Sequence, residues 1–132
     1  MERAKEITYF LLRLVSGFIF IQAGGLILFG WFGGMPGGAK VSLMSQIGIG
    51  GILEFVGGIL IMLGLLTRPV AFILSGTMAV AYWQFHFPKG HWPIQNDGIA
   101  AVVFCFLFLY MAARGAGDWS LDALIWRKRK IG

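Results

Sequence analysis

The sequence predicts an all-α integral membrane protein, a four-helix bundle with both its N and C termini cytoplasmic. Three observations predict it. Hydrophobic residues make up 58% of the chain and charged residues 13%, at a mean hydropathy of +0.77, whereas soluble domains run nearer about 45–50% apolar and about 25% charged. Four apolar stretches each approach the roughly 20 residues that cross a hydrocarbon core. The basic residues also cluster on one side of those stretches.

The first span covers residues 7–30. Its apolar run exceeds the roughly 7–15 residues of a signal-peptide core, and no A-x-A-like site follows, so it reads as a retained helix. The connection Gly30-Trp-Phe-Gly-Gly-Met-Pro-Gly-Gly-Ala-Lys40 is too rich in Gly and Pro to continue it. The second span, residues 46–66, contains Gly48, Gly50, Gly51, Gly57, Gly58 and Gly64. Small residues let helix backbones approach closely in lipid, where packing rather than hydrophobic exclusion drives association. Gly50, Glu54 and Gly58 share a helical face, so a tight contact is expected around the carboxylate.

Thr67-Arg68-Pro69 forms a tight turn, with Pro69 suited to the first position of the next helix. The third span covers residues 69–87. An aromatic loop, Phe87-Pro-Lys-Gly-His-Trp-Pro93, leads toward the fourth span at residues 98–113. Trp31, Trp83 and Trp92 fall near one membrane boundary, where amphipathic rings collect. All four spans make one transmembrane domain, followed by a short amphipathic basic tail at residues 120–130. Ser120 can cap a helix there, with Asp122 in its first turn. Leu121, Leu124 and Ile125 can face acyl chains while the basic cluster meets phosphates; a plain stop-transfer signal fits the same pattern.

Orientation follows from charge. Arg3, Lys5, Arg13, Arg68, Arg114, Arg127, Lys128, Arg129 and Lys130 lie on one side, leaving Lys40 and Lys89 on the other. The richer side is cytoplasmic by the positive-inside rule. Arg13, Arg68, Arg127, Lys128, Arg129 and Lys130 are therefore expected at lipid headgroups, Arg13 by snorkelling downward or else by reaching up to a partner. The net charge of +5 belongs to this pattern and not to nucleic-acid binding, for which no aromatic-and-basic motif is present.

Catalytic chemistry has few carriers. One cysteine, Cys105, excludes an internal disulfide or dithiol relay and reads as an apolar filler. His86 and His91 do not make a two-ligand haem site within the spans, and no metal set is expected. Intramembrane polar groups remain. At about 1.5 Å per residue, Glu54 lies roughly 18 Å from the cytoplasmic ends, Gln22 and Gln84 roughly 22 Å, and His86 roughly 26 Å. Tyr82, Trp83, Asn96 and Asp97 can join them. Such groups usually face a bundle interior. A carboxyl buried there must be paired or protonated, which leaves two readings. Glu54 and its neighbours line a pocket for a quinone-like or other amphipathic headgroup, or Glu54 bonds Gln22 or Gln84 and locks the helices.

These residues resemble a known family. Arg13-Leu with Gly17 and Phe20, then Leu28-Phe-Gly-Trp-Phe-Gly-Gly34, resemble the first helix and loop of DoxX family membrane proteins. Glu54-x-x-Gly57-Gly58 and Leu63-Gly-Leu-Leu-Thr-Arg68 continue the likeness, as do Asn96-Asp-Gly98 and Gly115-x-Gly117-Asp-Trp119-Ser-Leu-Asp122. The resemblance implies a four-helix bacterial inner-membrane protein associated with quinone-linked oxidoreductases and redox-stress complexes. Departures exist. Ala23 and Ile27 stand where many members carry His and Lys, and Asp97 stands one residue from where a family Glu is expected.

The expected function is a non-catalytic accessory or anchor subunit of a quinone-linked respiratory or redox complex, contacting lipid and a larger redox protein or a second copy of itself. A bound quinone is the one cofactor implied. The alternative is a stand-alone membrane carrier or binding protein for a quinone, lipid or other small amphipathic molecule.

Overall fold

The protein is represented by a computed structural model that describes residues 2–35 and 42–125. Lys40 and the tail cations Arg127, Lys128, Arg129 and Lys130 lie outside the described residues. All regular structure among the described residues is helical: α1 Glu2–Phe29, α2 Gln46–Leu63, α3 Thr67–Ala81, α4 Pro93–Asn96 and α5 Ile99–Arg114. Three continuous helical stretches are long and apolar enough to cross a membrane: α1, α2, and Thr67–Lys89, in which α3 runs on through a π-turn at Tyr82–His86 and a 3₁₀ turn at Phe87–Lys89. The apolar α5 is shorter, at 16 residues. The chain divides into two compact units, Met1–Thr67 with Ala116–Gly132, and Arg68–Gly115.

In the first unit α1 and α2 run antiparallel in backbone contact. A Cβ added to Gly17 would sit 2.5 Å from the Gly58 carbonyl oxygen, and one added to Gly58 would sit 2.7 Å from that of Gly17. Two turns along, a Cβ on Gly24 would lie 2.7 Å from the Gly51 carbonyl oxygen and 2.5 Å from the Phe55 nitrogen. Each helix thus presents two glycines seven residues apart, a spacing that returns to the same face, and the pairs Gly17–Gly58 and Gly24–Gly51 set the register. Trp31 folds back at the end of α1, its ring against Gly25 and 5.8 Å from that of Phe55. Ser45 caps α2, its hydroxyl oxygen accepting from the Gly48 N–H at 3.0 Å.

α2 stops at Leu63, short of the apolar run to residue 66, because Gly64 turns left-handed at φ +69°. Its N–H donates to Ile61 and that of Leu65 to Leu60, the pairing that closes a helix through a left-handed glycine. α3 then starts at Thr67, two residues before the expected Pro69. Pro69 is still accommodated, since first-turn N–H groups have no intrahelical acceptor. The N–H groups of Leu66 and Thr67 donate instead to the two carboxylate oxygens of Asp122, at 2.8 and 2.9 Å. Residues 121–125 are helical, and the Ser120 hydroxyl oxygen accepts from the Ala123 N–H at 3.1 Å.

In the second unit the Ser75 hydroxyl donates to the Cys105 carbonyl at 2.7 Å, tying α3 to α5 with Cys105 Sγ 3.6 Å away. Large side chains on the helices face outward, including Val15 and Phe18 on α1, Phe72 on α3, and Phe106 and Tyr110 on α5. On α1 and α3, which belong to stretches long and apolar enough to cross a membrane, such exposed side chains suit contact with lipid.

Candidate functional site

The expected polar pocket draws on both units, and each part stands by itself. Glu54 and Gln22 belong to the first. The α1–α2 register puts Gln22 on α1 and Glu54 on α2 at the same level, between the two glycine pairs. Glu54 Oε2 is buried with no hydrogen-bond partner among the described residues. This oxygen makes no bond to Gln22.

The second unit contains Tyr82, Trp83, Gln84, His86, Asn96 and Asp97. Three of them converge. Asn96 is fully buried, and its amide nitrogen donates to the Gly90 carbonyl at 2.9 Å and the Tyr82 hydroxyl oxygen at 3.3 Å. Its side-chain oxygen accepts from the Gly98 N–H at 2.9 Å, an Asx-turn that holds Asp97 at φ +59°. Gly98 is required for close approach, since a Cβ there would lie 2.7 Å from both Asn96 Oδ1 and the Tyr82 ring. The Asn96 carbonyl lies 2.9 Å from His86 Nδ1, and a carbonyl only accepts, so Nδ1 carries the proton. Tyr82 and His86 stack at 6.4 Å, and Trp83 meets Tyr82 edge-on at 5.4 Å. Trp83, Gln84 and Asp97 are exposed. The π-turn over Tyr82–His86, a form frequent at functional sites, carries this cluster.

Arg13 departs from the headgroup role expected of it. Its side chain is 2% exposed and spent on backbone carbonyls of its own unit. Nε donates to Ile61 at 2.8 Å, Nη1 to Ala116 at 2.6 Å, and Nη2 to Trp119 at 2.8 Å and Met62 at 3.4 Å. A guanidinium presents five donors in a fixed fork, so it can close several orphaned carbonyls at a helix end. Arg68 is exposed, yet it too closes a helix end, donating to the carbonyls of Ala112, Ala113 and Arg114 at the end of α5. Asp122 and Ser75 were not marked as bonding residues by the sequence, where a short polar residue between apolar ones carries no sign of its distant partner.

The DoxX family profile matches residues 8–87, spanning α1, α2, α3 and the π-turn. The chain belongs to the DoxX family. An uncharacterized protein of Haemophilus influenzae is 40% identical over 125 residues, covering 91% of this chain and 93% of that relative. The inner membrane protein YqjF of Escherichia coli is 26% identical over 141 residues, covering 97% and 99%. No solved structure matches this DoxX-family chain. The matched region holds Arg13, the glycine register, Glu54, Tyr82 and His86; Asn96 and Asp122 lie beyond it.

Proposed function

We propose that this chain is a multi-pass protein of the bacterial inner membrane and a non-catalytic accessory subunit of a quinone-linked respiratory or redox complex. It forms one transmembrane domain, a four-helix bundle whose spans are α1, α2, the stretch Thr67–Lys89 and α5, with both termini cytoplasmic. The placement of nine of eleven basic residues supports the orientation, by the positive-inside rule. The E. coli relative, an inner membrane protein by name, supports the location. The basic tail at residues 120–130 rests on anionic headgroups.

The observation that carries the functional reading is the orphaned Oε2 of Glu54. A buried polar oxygen without a partner costs about 1–3 kcal/mol, and such groups call for a specific explanation. Here the completing donor comes from outside the chain, from a bound headgroup or from a partner subunit that closes over the α1–α2 face. The family resemblance makes a quinone the ligand class and a larger oxidoreductase the partner.

Affinity purification from native membranes in mild detergent, with mass spectrometry of proteins and extracted quinones, tests this. A stoichiometric oxidoreductase that is lost with Glu54→Leu is the expected result. A monodisperse protein carrying quinone or lipid alone favours the stand-alone carrier instead. Recovery with neither partner nor ligand overturns both readings.

A further inference from the structure

Residues 90–98 of the second unit connect the stretch Thr67–Lys89 to α5, on a backbone that is bonded within itself. The Gly90 N–H donates to the Phe87 carbonyl at 3.1 Å, and those of Gln95 and Asn96 donate to the Trp92 carbonyl at 2.9 and 3.1 Å. The Gly98 N–H reaches the Pro93 carbonyl at 3.2 Å. The buried Asn96 side chain ties this frame to Gly90, Tyr82 and Gly98, and His86 takes up its carbonyl. What the frame holds outward is apolar: Ile94 is 79% exposed and Trp92 66%. A connection that only turned the chain would carry polar residues there. Large apolar side chains held out on a fixed backbone mark a surface that meets a partner or a membrane.

We infer that Trp92 and Ile94 insert at the boundary between lipid headgroups and acyl chains, fixing the depth at which Thr67–Lys89 ends and α5 begins. The inference rests on the reading of those two stretches as spans. Reach, continuity and charge make lipid the occupant. The connection is short and partly wound into α4, where each residue advances only about 1.5 Å, so it stays close to the membrane boundary. Exposed Trp83 and Phe85 precede it and exposed Ile99 and Val103 follow it, so its apolar surface continues that of the helices on both sides. Lys89 and Asp97 are the only charged residues between positions 87 and 98, and they cancel, leaving no net charge to select a charged partner. A Trp places its indole N–H among headgroups and its ring below them, and Ile94 adds a wholly apolar chain. Asn96 is the positioning residue, because its bonds keep both side chains on the outside of the frame.

The test places a nitroxide label on the full chain in phosphatidylcholine nanodiscs, at Ile94→Cys or, as a reference on α5, at Val103→Cys. Both are made with Cys105→Ala, which keeps the carbonyl that Ser75 bonds. Collisions with oxygen report lipid around a label, and collisions with a water-soluble nickel chelate report water. The Ile94 label should be rich in oxygen and shielded from nickel, at a depth of about 5–10 Å, as for apolar faces buried at the headgroup boundary. If it is open to nickel while the Val103 label is not, the connection stands in water; the inference falls and the spans survive. Both labels open to nickel would overturn the span reading itself. An Ile94 label shielded from both reagents would be covered by protein, such as a second copy of the chain, which also overturns the inference. Adding Asn96→Ala should sharpen the Ile94 label's spectrum and reduce its depth. An unchanged spectrum in that variant, shown to be folded by circular dichroism, removes the positioning role of Asn96.

Discussion

Arg13 donates through Nε to the carbonyl of Ile61 at 2.8 Å, so a guanidinium carried by the first helix closes the end of the second. The same side chain reaches Ala116 and Trp119, which follow the last helix in sequence. A charge that hydropathy assigns to the membrane boundary is thus an internal clasp of the first unit. The Phe10 ring supports it, 5.4 Å from the guanidinium carbon and 5.4 Å from the Trp119 ring.

Replacing Arg13 by Ala should therefore destabilise the protein by about 3 kcal/mol, since several carbonyls lose their donors at once. Arg13→Lys should recover less than half of this, because one ammonium cannot reproduce the fork. Denaturant unfolding in mild detergent measures both. A lysine variant as stable as the wild type would reduce the clasp to a simple charge effect.

Glycine substitutions should separate by register. Gly17→Ala places a methyl 2.5 Å from the Gly58 carbonyl oxygen and should cost about 1–3 kcal/mol as the helices are forced apart. A Cβ on Gly50 meets nothing within 4 Å. Gly50→Ala should be neutral or stabilising by up to about 1 kcal/mol through helix propensity. Melting temperatures of the two single variants check the contrast.

Asp122→Asn should cost about 1–2 kcal/mol, because one of the two acceptors for the Leu66 and Thr67 N–H groups becomes an amide donor. Limited proteolysis should then cut sooner after residue 115, where the segment bound by Asp122 and Arg13 begins.

Glu54 should trade stability against function. With an unsatisfied carboxyl oxygen removed, Glu54→Leu should raise the stability of the isolated protein by about 1–3 kcal/mol. Retention of partner or quinone should fall at the same time. A variant that is both less stable and fully retentive would mean that the carboxyl serves packing alone. If Glu54→Ala leaves stability, retention and quinone-dependent activity all unchanged, the residue has neither role.

Asn96→Ala should be the most damaging change in the second unit. It frees the donors and acceptors at Tyr82, Gly90 and Gly98 together and should cost about 2–3 kcal/mol. Loss of the edge-on contact between Trp83 and Tyr82, followed by near-ultraviolet circular dichroism, reports the local effect.

By itself the sequence determined the class of molecule and the apolar runs that become helices, while it carried the second run to residue 66 where α2 ends at Leu63. Burial in lipid demands long apolar runs, and a left-handed turn demands a residue such as Gly64, so both are written locally and can be read locally. Capping is local too: Ser45 and Ser120 each bond an N–H three residues on. The polar groups were legible as residue types, with depths assigned to Glu54, Gln22, Gln84 and His86 and with Tyr82 and Asn96 named as able to join them.

Only the tertiary structure decided what those groups bond. The carbonyls that occupy Arg13 lie 48 to 106 residues away along the chain, and no pattern near position 13 announces them. The pairing of Gly17 with Gly58 and Gly24 with Gly51, the N–H groups taken up by Asp122, and the Oε2 of Glu54 left without a partner are likewise products of register between distant segments. Hydrogen bonds and close packing are satisfied over ångströms in space, while sequence pattern records only the period of one helix at a time.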